Sequence, residues 1–169
     1  MADSPIIFSG RYGHAVDDKG RLMLPSALRD ELRKSDVPDR LYLGFCPGTR
    51  FLSVYSYERW KELVGSWRDE RRFPGSSVMQ DGQRLFFANL EPVNVDRSGR
   101  ILISAYYRER AGLGAEVAVL GVADKIEIWD PAELAAQEER AREAWELALA
   151  AEAGRAPGGG GDEPRLPRF

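Results

Sequence analysis

The chain of 169 residues has one cysteine, Cys46, and one histidine, His14. A lone cysteine excludes an intramolecular disulfide and a cysteine-built zinc site, and a reducing cytoplasm is the simplest compartment for it. A lone histidine leaves little for nucleophilic catalysis, because any Ser/His/Asp or Cys/His arrangement would have to use His14, which reads as an ordinary strand-end residue. Cys46 stands before Pro47-Gly48 with no basic cluster beside it in sequence to activate the thiol. No apolar run approaches the ~20 residues of a membrane span. Met1 to Gly10 lacks the basic start and apolar stretch of a signal peptide. Gly158 to Gly161 follows no strand and has no Lys-Ser/Thr partner, so no phosphate-cradling glycine loop is present. The expectation is a cytoplasmic protein that is not an enzyme and takes no metal or cofactor.

An excess of one charge sign is also missing. The composition, 43% hydrophobic and 30% charged with a net charge of −3, is that of a globular chain. The acidity is local: residues 131–153 hold six glutamates against two arginines. An acidic total does not argue against nucleic-acid binding when the basic groups share one face.

What the chain does have is a repeat. Val16-Asp17-Asp18-Lys19-Gly20-Arg21-Leu22-Met23-Leu24 returns 79 residues later as Val95-Asp96-Arg97-Ser98-Gly99-Arg100-Ile101-Leu102-Ile103. Arg29 aligns with Arg108 at the same offset. A second match follows each copy, Leu52 to Ser56 with Ile126 to Asp130, now 74 residues apart, so the first copy carries the longer connection. Two such units imply a duplicated module with pseudo-two-fold symmetry.

In each copy an aspartate opens a turn and a glycine closes it, the positions where a side-chain acceptor and a permissive backbone are wanted. Three apolar residues then read as a buried strand. Pro25 precedes a short helix bearing Leu28 and Leu32. Leu41 to Phe45 and Phe51 to Tyr55 read as strands. Ser56 caps a helix whose Trp60, Leu63, Val64 and Trp67 form one stripe, either core or subunit interface. The run from Arg68 through Phe73-Pro74-Gly75 marks the boundary between the halves, and Leu85-Phe86-Phe87-Ala88 restarts the order. Val117 to Leu120 and Ile126 to Trp129 are later strands. Asp130-Pro131-Ala132-Glu133 starts a helix running to about Ala151, and a flexible tail follows from Gly154. The domain reading is a first repeat at 6–67, a connection at 68–84, a second repeat at 85–150 and the tail at 151–169.

An arginine just after such a turn can be held by the turn's own aspartate. Held, it loses less entropy on meeting phosphate or the O6/N7 edge of guanine. Lys19 and Arg97 in the same turns would add phosphate contacts. The plainer alternative is a stable hairpin with an exposed arginine.

Asp-x-x-Gly-Arg followed by three apolar residues and a short helix resembles the half-unit of SpoVT/AbrB-type transition-state regulators. Two such units, each leading to an apolar-x-apolar-aromatic strand and a helix, resemble the MraZ family. The residues that carry this include Gly10-Arg11-Tyr12, Val16 to Leu24, Pro25, Leu28-Arg29, Leu41-Tyr42-Leu43, Leu85 to Ala88, Asp96 to Ile103, Gly121-Val122 and Ile126 to Trp129. The second copy departs by having Ser104 in place of Pro25, and Tyr106-Tyr107 in place of Ala27-Leu28. The resemblance implies an α+β, mainly β fold: a swapped-hairpin double-psi β-barrel of two tandem repeats with peripheral helices. It also implies a homo-oligomeric ring, an octamer or dodecamer, that binds direct repeats in double-stranded promoter DNA of its own cell-division and cell-wall operon. On that basis the DNA-binding residues are Asp17, Lys19, Arg21, Asp96, Arg97 and Arg100, in a nucleoid-associated regulator of transcription with no membrane partner. A structural ring-forming assembly protein without specific DNA binding is the alternative.

Overall fold

The computed structural model describes residues 5–45, 48–68 and 77–153. The first half contributes β1 (Arg11–Ala15), β2 (Arg21–Met23), α1 (Ser26–Leu32), β3 (Arg40–Gly44), β4 (Phe51–Ser56) and α2 (Tyr57–Arg68). The second contributes α3 (Ser77–Phe87), β5 (Leu90–Asn94), β6 (Arg100–Leu102), α4 (Ala105–Arg110), β7 (Glu116–Val122), β8 (Lys125–Trp129) and α5 (Pro131–Ala153). Local chemistry explains the helix starts. Pro25, with φ −52°, leads into α1. The Ser56 hydroxyl accepts the Arg59 N–H at 3.2 Å at the start of α2. Asp130 accepts the N–H groups of Ala132 and Glu133 at 2.9 and 3.2 Å, with Pro131 at the first helical position of α5.

Six strands form one antiparallel sheet in the order β1-β7-β8-β4-β3-β5, and β2 pairs with β6 in a separate two-stranded ribbon. The duplication is visible in the register. β1 of the first half pairs with β7 of the second, and β5 of the second pairs with β3 of the first. The remaining cross-pairings lie on the pseudo-two-fold axis. The ribbon is centred on Leu22 opposite Ile101, and β4–β8 on Ser53 opposite Glu127. Each half therefore completes the other: the ladders of β1, β2, β5 and β6, the strands around the arginine turns, all run to strands of the opposite half.

The halves interdigitate, but the expected swapped-hairpin double-psi β-barrel is not formed by strand pairing among the described residues. β1 and β5 are the outer strands of the six-stranded sheet. β2 and β6 are three residues each and spend their ladder on one another, leaving a single bridge, Val16 to Leu22, to tie β1's continuation to the ribbon. What the structure shows is the coarser class: mixed α and β, mainly antiparallel sheet, in two repeat-like halves.

One core joins ribbon, sheet and short helices. Leu22, Leu24, Leu28, Leu43, Ile101, Ile103, Ile126 and Ile128 are essentially inaccessible and pack in a single cluster. Each such side chain contributes about 1.5–3 kcal/mol relative to exposure. The Ile126/Ile128 alternation that matched Leu52/Val54 in sequence is thus the inner face of the β4–β8 pair. The stripe of α2 is only half-buried, and its two tryptophans make ring contacts within the chain. Trp60 stacks on Tyr42 with centroids 4.3 Å apart and meets Phe87 edge-on at 5.2 Å. Trp67 packs against Phe86 and Phe87.

Ser77–Phe87 is helical, so a helix occupies part of the span read as a connection, and Leu85-Phe86-Phe87, read as restarting the order, closes that helix. The strand equivalent to β1 begins at Leu90. All strands belong to the compact unit that ends at Leu134, and α5 continues from Ala135 in a second unit as a mostly exposed helix. The tail from Gly154 and the turn at Cys46-Pro47 lie outside the described residues, as does 69–76 of the boundary.

Candidate nucleic-acid interface

The two arginine turns are built alike to the level of single hydrogen bonds. In the first, Asp17 N–H donates to the Arg21 carbonyl at 3.0 Å and the Asp17 carbonyl accepts from Gly20 N–H at 2.9 Å. One carboxylate oxygen of Asp17 accepts the backbone N–H groups of Lys19 and Arg21 at 3.0 and 2.8 Å. The other accepts Arg21 Nε at 2.7 Å. In the second turn Asp96 N–H reaches the Arg100 carbonyl at 2.8 Å and its carbonyl accepts Gly99 N–H at 2.8 Å. Its carboxylate takes Ser98 and Arg100 N–H at 2.8 and 3.0 Å and Arg100 Nε at 2.9 Å. Gly20 and Gly99 hold φ +81° and +82°, where a side chain would be strained. The sequence left two roles open for the aspartates, bracing the loop or pairing with the arginine. Each aspartate does both, with a different oxygen.

These bonds hold both carboxyls below the ordinary aspartate value of 3.8. For Asp17 the largest contribution is the Arg21 backbone N–H, opposed by desolvation and reinforced by the guanidinium and the Lys19 N–H. Arg100 and Ser98 act in the same way on Asp96. The acids are therefore ionised at neutral pH, and they fix each guanidinium through Nε alone. Among the described residues neither arginine's Nη atoms have a hydrogen-bond partner, so the outer edge of each fork remains available to a planar acceptor pair.

The ribbon sets the spacing of the two forks. Arg21 stands opposite Leu102 and Arg100 opposite Met23, so the arginines are diagonal neighbours on one face, with Cα atoms about 7–8 Å apart in such a register. Leu22 and Ile101, facing the other way, are 0% exposed. The face bearing the arginines is thus the outward one by the strict alternation of a strand. Lys19 and Arg97 are exposed in the flanking turns, with no ion pair among the described residues. Asp18 is exposed beside Lys19. The six residues expected from sequence are accordingly brought to one ribbon and its two turns.

Two further residues belong to this assembly. A carbon placed at the missing Cβ of Gly99 would sit 2.5 Å from Nη1 of Arg29, and one at Gly20 would sit 3.4 Å from Nε of Arg108. Each short helix therefore lays its arginine over the turn of the opposite half. Arg29 Nε also donates to the Leu24 carbonyl at 3.1 Å. The matching offset of Arg29 and Arg108 was a sequence signal, but its meaning depends on the cross-half pairing.

The arrangement lacks a nucleophile with a base and offers instead two braced, outward guanidiniums on a two-stranded ribbon. No described helix is long and apolar enough to cross a membrane. A family model for the MraZ protein, described as antitoxin-like, matches residues 7–74 and 86–155. The chain is 37% identical over 123 residues to the transcriptional regulator MraZ of Lachnoclostridium phytofermentans, covering 73% of this chain and 81% of that protein. It is 34% identical over 147 residues to the one of Heliobacterium modesticaldum, covering 83% and 92%. Against that of Thermomicrobium roseum the identity is 37% over 137 residues, covering 79% and 88%. The two matched segments each contain one Asp-x-x-Gly-Arg turn, and with most of the chain and of each relative aligned, this chain belongs to the MraZ family.

Proposed function

We propose that this protein is a sequence-specific DNA-binding regulator of transcription. Its ribbon and flanking turns enter the major groove, Arg21 and Arg100 read base edges, and Lys19 and Arg97 contact phosphates. Asp17 and Asp96 are positioning residues that set the reach and angle of the arginines. The observation that carries the reading is the duplicated aspartate-held arginine, each fork fixed through Nε with its outer edge unoccupied among the described residues. A planar donor pair held in advance matches guanine O6/N7 at low entropic cost. The names of the relatives, transcriptional regulators, support the same role.

The finer reading follows from how few basic groups one ribbon holds. Each neutralised phosphate contributes about −0.9 to the slope of log affinity against log salt, so one subunit binds weakly. A homo-oligomeric ring whose neighbouring subunits engage neighbouring direct repeats gains through effective concentration. The sheet and the ribbon are, in this reading, the two sides of the swapped-hairpin barrel that the sequence resemblance implies. The site is the promoter of the protein's own operon, in the cytoplasm and at the nucleoid.

A gel-shift with DNA from upstream of the gene tests this. Binding that survives excess unrelated duplex, and weakens steeply when one repeat is deleted, is the expected result. A protein that assembles into rings but binds the promoter no better than the competitor would be a structural assembly protein instead.

A further inference from the structure

Between the two held arginines the ribbon carries two large apolar side chains turned outward. Met23 is 37% exposed and Leu102 is 55% exposed. They occupy equivalent positions in the two repeats, Met23 opposite Arg100 and Leu102 opposite Arg21. The core needs neither, since Leu22 and Ile101 fill the inner side of the same strands. A single exposed apolar residue calls for no explanation. Two at symmetry-related positions, each cross-strand from a guanidinium with an unoccupied outer edge, make a compact mixed face.

Resting on the DNA-binding reading above, we propose that Met23 and Leu102 determine specificity by packing against the 5-methyl groups of thymines in the major groove, beside the bases read by Arg21 and Arg100. The occupant is duplex DNA on grounds of complementarity. The apolar pair is flanked by Arg21, Arg100, Lys19 and Arg97, with Asp17, Asp18 and Asp96 in the same turns, a charged surround with a small positive excess that suits a phosphate-lined groove and not an apolar protein face. A two-stranded ribbon fits the groove's width of about 12 Å, and the thymine methyl is the one apolar group a base pair presents there. Arginines a diagonal apart, with an apolar residue cross-strand from each, correspond to a short site in which guanines and thymines adjoin.

The test uses the full-length protein and one promoter duplex from upstream of its gene, synthesised once with thymine and once with deoxyuridine at every thymine position. Affinities are compared for the natural sequence and for a protein carrying both Met23→Ser and Leu102→Ser, with melting curves to establish that the exposed substitutions leave it folded. Burying one methyl group corresponds to about a four-fold gain in affinity. The natural sequence is expected to prefer thymine DNA by at least that factor, and the double-serine protein to have a ratio near one. Equal affinity of the natural sequence for both duplexes would overturn methyl recognition while leaving DNA binding standing. A preference that survives in the double-serine protein would overturn it too, assigning the effect to the DNA itself. No binding to either duplex would overturn the DNA-binding reading and this inference with it.

Discussion

Replacing Arg21 with lysine separates the two things an arginine can do on DNA. In the structure Arg21 Nε lies 2.7 Å from Asp17, and the guanidinium's two Nη groups are left for a second partner. Lysine keeps the charge but has one nitrogen, which either stays on Asp17 or reaches the groove. If Arg21 makes a bidentate contact to a guanine edge, Arg21→Lys removes about 1–3 kcal/mol of binding per engaged site. Its slope of log affinity against log salt should match the natural protein, because the number of neutralised phosphates is unchanged. Arg21→Ala should lose a similar amount, also with little change in slope. If Arg21 were a phosphate clamp, alanine would flatten the slope by about 0.9 and lysine would restore it. Fluorescence anisotropy on a single-repeat duplex across a salt series gives both quantities without the multiplication that the proposed ring would bring. Circular dichroism melting should be close to the natural protein, since the Asp17 bonds to the turn's backbone remain. Natural affinity for Arg21→Lys, or a slope that tracks the charge, would refute base readout by this residue.

The two glycines should respond unequally despite their matching φ. Both Gly20→Ala and Gly99→Ala incur about 1–2 kcal/mol for the left-handed backbone. A Cβ at Gly20 also meets the Ile103 carbonyl, which is backbone, at 2.6 Å, whereas the three atoms nearest a Cβ at Gly99 all belong to the Arg29 side chain, which can shift more readily. Gly20→Ala should therefore be less stable by a further ~1–3 kcal/mol in urea denaturation at matched protein concentration, and equal losses would contradict this. Because the carboxyls of Asp17 and Asp96 titrate below 3.8, their support of the turns is complete above that value and disappears as pH falls through the depressed one. Carboxyl-carbon NMR titrations with midpoints at or above 3.8 would disprove the bracing, and DNA affinity should be insensitive to these acids between about pH 5 and 8. Asp17→Asn should lower DNA affinity less than Arg21→Ala, as its amide oxygen can still accept the turn's N–H groups. Trp60→Ala should cost about 2–3 kcal/mol of stability with the subunit number unchanged by sedimentation. A smaller assembly of normal stability would instead make Trp60 an interface residue.

The turns were legible because their chemistry is local. Aspartate, glycine and arginine sit within five residues, and a carboxylate can satisfy backbone N–H groups two and four residues on without help from elsewhere. The duplication was legible because it is a spacing. What could not be read was which half each strand would join. β1 pairs with β7 and β2 with β6 across most of the chain, and an apolar triplet such as Leu22-Met23-Leu24 carries no mark of its partner. α3 went unread for a related reason. Leu85-Phe86-Phe87 is short and fully apolar, so its period is undefined, and it is helical where Phe86 and Phe87 can meet Trp67. Arg29 and Arg108 carry a repeat signal in the sequence, but its meaning depends on the opposite turn that lies beneath each of them.

The ribbon's near-perfect dyad has a consequence for direction. Turned end for end, its backbone presents the same two turns and the same two forks. Duplex DNA has its own local dyad, so a symmetric reader would accept a site and its reverse complement alike. A direct repeat has polarity, and only the differences between the copies can sense it. In the turns and on the outward face of the ribbon they are few: Asp18 against Arg97, Lys19 against Ser98, and Met23 against Leu102. One end of the ribbon thus carries opposite charges on neighbouring residues and the other a single arginine beside a serine. Divergence after duplication at these positions gives a two-fold scaffold a head and a tail.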